Sequence, residues 1–356
     1  HCVTRRQRQM CIRDRITLLI FAIVLKITFD IISYNIQFMY YLSKNNMILQ
    51  SLYLIIGLFL LIVGSNYLLK SSVDLSLKYG ISKVVIGLTV VSFATSAPEL
   101  LISISSALKE SSDISISNVI GSNIANIGLV FSTALFFVTI KITKNNIKYY
   151  LPWLIVVSFI FLFFLQDLKI SKSEGFIFIF LLSAFIYFML KIRVSDENQN
   201  DVKISEMSIT KIIFLIIISS LMLFFGSELF VNSAIYFANY FQVSERIIGL
   251  TLVAIGTSLP ELVTTLVAIY KKELDISVGN IIGSNIFNIL AVIGITSAII
   301  ELNLEGQQII SFDIYVMIGF SILLAVFFFI PKKYTLFRLH GIIFFILFLT
   351  YYYMLL

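Results

Sequence analysis

One short sequence occurs twice in this chain and constrains its fold more than any other feature. Residues 87–130 and 249–292 align without a gap at an offset of 162, and 22 of the 44 aligned positions are identical. TSAPEL in the first copy becomes TSLPEL in the second, and GSNIANI becomes GSNIFNI. Because the identities fall mainly on small and polar residues, hydrophobic composition does not explain them. The chain is therefore predicted to contain two copies of one structural unit.

The rest of the sequence indicates a helical membrane protein. Hydrophobic residues make up 59% of the chain and charged residues 13%, against roughly 25% charged residues in soluble domains. Apolar stretches of about 20 residues recur, as membrane-spanning helices require. The stretches do not alternate apolar with polar residues, which excludes a transmembrane β-barrel.

Ten spans are predicted, and a polar linker divides them equally. The linker is 193–210, and it separates a first five-helix repeat at 47–192 from a second at 211–356. The predicted spans are 49–69, 82–108, 115–138, 149–166, 174–190, 211–236, 244–270, 277–300, 310–330 and 335–355. The fold class is thus an all-α polytopic membrane protein with ten transmembrane helices.

The distribution of Lys and Arg predicts the orientation. With the linker 193–210 in the cytoplasm, fifteen of these residues in the core fall in cytoplasmic loops and four on the opposite side. Each repeat has five spans, an odd number, so the second repeat begins on the opposite side of the membrane from the first. The repeats are therefore inverted, an architecture found in secondary transporters.

Residues 1–46 are treated separately from this core. They are predicted to be an N-terminal extension, either an artefact of sequence assembly or an extra helix. The two cysteines, Cys2 and Cys11, both lie there. The remainder of the chain therefore offers no disulfide framework or cysteine metal site.

Polar side chains lie on one face of two predicted helices in each repeat. In the first helix of each pair they are spaced i, i+3, i+4 and i+7, which is one helical face; these positions are Ser92, Thr95, Ser96 and Glu99, then Ala254, Thr257, Ser258 and Glu261. In the second helix they are Asn118, Ser122 and Asn126, then Asn280, Ser284 and Asn288. A charge at the bilayer centre costs about 2.5–3.5 kcal/mol. We therefore expect these faces to meet inside the bundle.

Proline adds backbone oxygen atoms to this predicted site. Pro98 and Pro260 lack an N–H group, which frees the carbonyls of Ala94 and Gly256. Two carboxylates among hydroxyl, amide and carbonyl oxygens suit a hard cation such as Ca²⁺ or Na⁺. The same carboxylates can also carry protons.

These motifs resemble those of the cation/Ca²⁺ antiporter superfamily, and most of all its prokaryotic sodium/calcium exchanger family, over about residues 47–356. The resemblance implies antiport of Ca²⁺ and Na⁺ by alternating access, with ions bound between the repeats and the first and sixth helices sliding across a fixed core. The alternative is H⁺/Ca²⁺ antiport by the same glutamates. It also implies a multi-pass protein of the cell membrane, with lipid and the transported ions as partners, no nucleic acid and no cofactor.

The resemblance assigns an ion-ligand role to twelve positions, with Glu99 and Glu261 as the carboxylates shared by Ca²⁺ and Na⁺. The backbone carbonyls of Thr95, Thr257, Ser92 and Ala254 would also bind the ions, and the remaining ligands are Ser96, Ser258, Ser122, Ser284, Asn126 and Asn288. This chain departs from the family at three positions. Asn288 stands where some members have Asp, Ala94 replaces the usual Gly, and Ser92 replaces the usual Ala.

Other classes of function fit the sequence poorly. An intramembrane protease would use a Ser–His pair or two aspartates in the membrane. The two histidines are His1 and His340, and the Asp residues of the repeats, Asp113 and Asp275, fall in predicted loops. No enzyme is therefore expected. A channel would differ from an antiporter in needing no counter-ion. Glu228 has Asn66 as its counterpart, and either assists the ion path or is a packing residue.

Overall fold

The computed structural model describes residues 47–109, 111–141, 144–191, 207–242, 254–304 and 312–355. The chain divides into two units, His1–Leu52 and Tyr53–Leu356. Only the end of the first unit, 47–52, is described, as the beginning of a long helix. The predictions for residues 1–46 and for most of the linker lie outside the described residues.

The first repeat consists of six helical segments. They are α1 (Met47–Tyr79), α2 (Lys83–Thr95), α3 (Ala97–Leu108), α4 (Ser112–Phe137), α5 (Lys144–Phe164) and α6 (Lys172–Lys191). The axis of α2 differs from that of α3 by 44°, so the two form one broken span. Short strands flank α5, namely β1 (Ile140–Lys141) and β2 (Lys169–Ile170).

The second repeat follows the same order. Its elements are α7 (Ile209–Tyr240), α8 (Ala254–Thr257), α9 (Leu259–Tyr270), α10 (Leu274–Ile299), β3 (Leu302–Asn303), α11 (Ile314–Phe327), β4 (Thr335–Leu336) and α12 (Arg338–Leu355). The bounds of α3 and α9, of α4 and α10, and of β1 and β3 all differ by the 162 residues that separate the sequence copies. The structural repeat therefore confirms the sequence repeat.

The strand pairs show that the repeats are inverted. β1 pairs with β4, and β2 pairs with β3, both antiparallel. Since α5 separates β1 from β2, the two sheets lie at opposite ends of that helix. α4 runs into β1 and α10 runs into β3, so these equivalent helices run in opposite directions. This is the inversion predicted from the odd number of spans.

The helices differ strongly in how much of their surface the protein covers. In α10, 94% of the most apolar 18-residue window is buried, against 22% in α1, α6 and α7. Large apolar side chains such as Phe59 and Phe214 remain exposed on α1 and α7. A surface this apolar is stable against lipid rather than water, which identifies a membrane protein with α4 and α10 at its centre.

The described helices account for most of the predicted spans. Seven are long and apolar enough to cross a membrane, and the broken span of α2 and α3 makes eight. α9 and α11 are shorter apolar helices, and the segments before them, 243–253 and 305–311, lie outside the described residues. The count of ten therefore stays a prediction.

Candidate ion-binding site

In each repeat a helix is interrupted at a serine, two residues before the proline of the repeated motif. Ser96 ends α2 with φ −84° and ψ 6°, and Ser258 precedes α9 with φ −85° and ψ 5°. The prolines then occupy the first turn of α3 and α9, where a missing N–H group has no intrahelical partner to lose. The interruption therefore falls at the serine, slightly before the prolines to which the sequence argument attributed it.

The interruption places both glutamates at helix N-termini in the protein interior. Glu99 lies in the first turn of α3, Glu261 lies in the first turn of α9, and both are 0% exposed. The partial positive charge of a helix N-terminus stabilises a carboxylate there.

The polar faces of the two repeats meet through reciprocal hydroxyl contacts. The Thr95 Oγ1 atom lies 3.3 Å from Ser284 Oγ, and Ser122 Oγ lies 3.2 Å from Thr257 Oγ1. These pairs are equivalent under the repeat, because Thr95 matches Thr257 and Ser122 matches Ser284. As expected, the faces turn inward and toward one another.

Further contacts bind the same residues into one cluster. Ser96 Oγ donates to Glu261 Oε1 at 3.3 Å, and Thr95 Oγ1 donates to Asn280 Oδ1 at 3.1 Å. Ser92 Oγ donates to the Asn280 carbonyl at 3.0 Å. Ala254, its equivalent, is the first residue of α8 and carries no hydroxyl.

Several buried oxygen atoms in this cluster have no hydrogen-bond partner among the described residues. They are both carboxylate oxygens of Glu99, Oε2 of Glu261, Oγ of Ser258, and the side-chain oxygens of Asn126 and Asn288. A buried polar atom left without a partner costs about 1–3 kcal/mol. Such a group of unpaired oxygens suits a cation that can bind several of them at once.

The asparagines of the set begin widened helical turns. Asn126 starts a π-helical segment that ends at Phe131, and Asn288 starts one that ends at Ile293. Single π-helical turns inside α-helices occur often at functional sites. Asn288 Nδ2 donates to Asn123 Oδ1 at 3.1 Å, which leaves its oxygen for another partner.

Two residues that the sequence reading passed over join the centre of the fold. Asn123 Nδ2 donates to the Asn285 carbonyl, and Asn285 Nδ2 donates to the Asn123 carbonyl, both at 3.2 Å. The two asparagines are equivalent under the repeat, so their reciprocal bonds lie at its pseudo-two-fold axis. The sequence signal that could have identified them is that the same residue, Asn, occurs at this position in both copies of the repeat. Glu228 lies half-buried on α7 beside Ser227.

This fold and site define a membrane cation antiporter built from inverted repeats. The chain matches the sodium/calcium exchanger protein family over residues 49–191 and 211–356. It is 34% identical over 288 residues to the inner membrane protein YrbG of Escherichia coli, covering 78% of this chain and 88% of YrbG. It is 32% identical to the sodium/calcium exchanger MaX1 of Methanosarcina acetivorans, covering 78% and 90% of the two chains.

A solved structure agrees with these relatives. The exchanger NCX_Mj, soaked with Na⁺ and Ca²⁺, superposes with a TM-score of 0.72 at 32% identity, covering 85% of this chain and 97% of NCX_Mj. The chain belongs to the sodium/calcium exchanger family. It is accordingly a multi-pass membrane antiporter of Ca²⁺ and another cation, and not an enzyme.

Proposed function

We propose that this antiporter exchanges Ca²⁺ for Na⁺ by alternating access, with both ions bound at the cluster around Glu99 and Glu261. The observation that carries the proposal is the set of unpaired buried oxygens shared by the two repeats. Two carboxylates balance the charge of one Ca²⁺, and the surrounding neutral oxygens supply additional ligands of the kind that Ca²⁺ and Na⁺ prefer.

The twelve positions assigned by the resemblance form the proposed ligand set. The hydroxyl groups of Thr95 and Ser284 contact each other, and the hydroxyl group of Ser96 donates to Glu261. Glu99, Ser258 and Asn126 supply oxygens without a described partner. Na⁺ as the counter-ion is supported by the names of MaX1 and NCX_Mj, which both specify sodium and calcium exchange.

Proton coupling is the competing proposal, because a buried carboxylate can exchange Ca²⁺ for protons with the same atoms. The test is ⁴⁵Ca²⁺ uptake into proteoliposomes loaded with Na⁺ at equal pH on both sides, with choline-loaded vesicles as the control. Uptake that requires internal Na⁺ would support Na⁺/Ca²⁺ exchange. Uptake that ignores Na⁺ but follows an acidic interior would replace it with H⁺/Ca²⁺ exchange.

A further inference from the structure

An apolar cleft that shares no lining residue with the proposed ion site lies where α5 begins and α11 ends. Its cavity volume is about 360 Å³. One wall consists of Leu151, Pro152 and Ile155 of α5. The other consists of Ala325 of α11 and of Phe329 and Tyr334 in the segment between α11 and β4. The cleft thus offers hydrocarbon and aromatic surface between two membrane helices.

The cleft has one charged residue, at its rim. Lys148 lies about one turn before Leu151 and Pro152 on the same face of α5, toward the start of the helix. Its Nζ atom is 5.8 Å from the centre of the Tyr149 ring. On the other wall Phe329 is 48% exposed and meets the Tyr334 ring edge-on at 6.0 Å between centroids. The result is an amphipathic cleft with an apolar interior and a cationic rim.

More basic residues surround this rim. Lys141 pairs with Thr335 across β1 and β4, which brings it beside the turn that carries Lys332 and Lys333. Arg338 begins α12 immediately after β4. All four side chains are exposed, and none forms an ion pair within the part of the chain that the structure describes. Neither 138–156 nor 326–340 contains Asp or Glu, so the sequence of these segments does not neutralise the charge.

We propose that this cleft is a binding site for an anionic phospholipid of the bilayer. One acyl chain lies against the apolar walls, and the headgroup phosphate contacts Lys148 and the lysines of the turn after α11. Basic pockets between transmembrane helices at the cytoplasmic end are suited to anionic headgroups, and the Lys and Arg distribution assigns this end to the cytoplasm. The apolar interior selects a lipid over a free anion, because a phosphate ion gains nothing from hydrocarbon walls.

Native mass spectrometry of the delipidated full chain, titrated with phosphatidylglycerol or with phosphatidylcholine of the same acyl chains, tests the proposal. We expect one phosphatidylglycerol adduct that binds more tightly than phosphatidylcholine. Lys148→Gln should weaken that adduct by about fivefold, the change that corresponds to ~1 kcal/mol for one juxtamembrane lysine. Equal binding of the two lipids, or an unchanged adduct in Lys148→Gln, would overturn the proposal.

Two further variants separate the contributions of charge and shape. Lys191→Gln is the matched control, because Lys191 is exposed at the end of α6 and its Nζ lies 5.7 Å from the Tyr187 ring, outside the cleft; its adduct should be unchanged. Ala325→Trp fills the cleft and should remove the adduct while every lysine is kept. Inorganic phosphate should not compete. Displacement of the lipid by phosphate alone would identify a simple anion site and refute the lipid assignment.

Discussion

The two repeats share all but one of their ion-site residues, Ser92 and Ala254 being the exception, but they differ in how one serine of each outer helix is used. Ser65 of α1 and Ser227 of α7 are equivalent under the repeat. Ser65 Oγ lies 3.0 Å from Thr264 Oγ1, whereas Ser227 Oγ donates to the Gly256 carbonyl at 2.7 Å. Gly256 lies in α8, two residues before the break at Ser258.

The difference between the contacts of Ser65 and Ser227 has two sources, the positions of the outer helices and the residues that they face. The two serines are identical, but the residue equivalent to Thr264 in the first repeat is Ile102, which has no hydroxyl. In an inverted-repeat transporter, one repeat or bundle moves against the other around a fixed site. The comparison shows that the two outer helices contact the inner helices through different bonds in one and the same structure.

The close packing around the site is unequal as well. A Cβ atom at Gly283 of α10 would approach the Leu88 carbonyl oxygen of α2 to 2.6 Å, whereas at the equivalent Gly121 of α4 it would meet no described atom within 4 Å. At the same end of α10, Lys83 Nζ and Glu273 Oε2 form an ion pair of 2.8 Å. The contact of α2 with α10 is therefore held tightly by close backbone approach and by charge.

The largest expected effect comes from neutralising either carboxylate, which tests whether the two repeats contribute equally. Glu99→Gln and Glu261→Gln should each lower ⁴⁵Ca²⁺ uptake by more than about 100-fold. The reason is that each carboxylate is proposed to pair with the bound Ca²⁺, and removing one partner of a buried charge pair costs about 3–5 kcal/mol. Glu301→Gln, at an exposed position, is the control and should transport normally. Full activity in either buried variant would remove that glutamate from the proposed site.

The next effect concerns the glycines of the two central helices. Gly283→Ala should destabilise the protein by about 1–3 kcal/mol, since the new methyl group forces the backbone of α2 away from α10. Gly121→Ala should cost less, because Gly121 is half-exposed whereas Gly283 is buried. Thermal unfolding in detergent measures both, and equal shifts in the two variants would show that the packing asymmetry does not exist in solution.

A smaller effect is expected from the serines of the outer helices. Ser227→Ala removes the bond to the Gly256 carbonyl and should cost about 0.6 kcal/mol and at most ~1.7 kcal/mol, the average and the maximum for hydrogen bonds between membrane helices. Ser65→Ala should cost less, because the Thr264 hydroxyl can rotate toward another hydrogen-bond partner. The Gly256 carbonyl is fixed in the backbone and cannot rotate in this way. Thermal unfolding of the two variants measures both losses. A larger loss in Ser65→Ala than in Ser227→Ala would contradict this prediction.

The smallest effect is expected where the two sequence copies differ chemically. Ser92→Ala makes the first repeat resemble the second, which has Ala254, and removes the bonds to the carbonyls of Gly87 and Asn280. We expect the Ca²⁺ concentration for half-maximal uptake to change by about threefold, which corresponds to ~0.6 kcal/mol. Ala254→Ser is the reciprocal variant. A shift above tenfold in Ser92→Ala would indicate that the Ser92 hydroxyl itself, and not only the backbone carbonyl, binds the ion.

The sequence by itself predicted the inverted helical repeat and the inward orientation of its polar faces. The repeat at an offset of 162 predicted matching elements, and α3 with α9 and α4 with α10 match residue for residue. Helical spacing predicted that Thr95 and Ser284 would face inward, because a polar face cannot meet lipid cheaply. Both signals are local or periodic, so they survive in the sequence without knowledge of the fold.

Only the tertiary structure decided which partners these residues take. Ser65 and Ser227 occupy equivalent sequence positions, yet one meets a hydroxyl and the other a carbonyl. The reciprocal bonds of Asn123 and Asn285 likewise depend on two antiparallel helices crossing at one point. The contacts of Ser65 and of the two asparagines join residues 162 or more positions apart, and the contact of Ser227 joins residues 29 positions apart. Their existence is determined by how the helices pack against each other, which the spacing within a single helix does not encode.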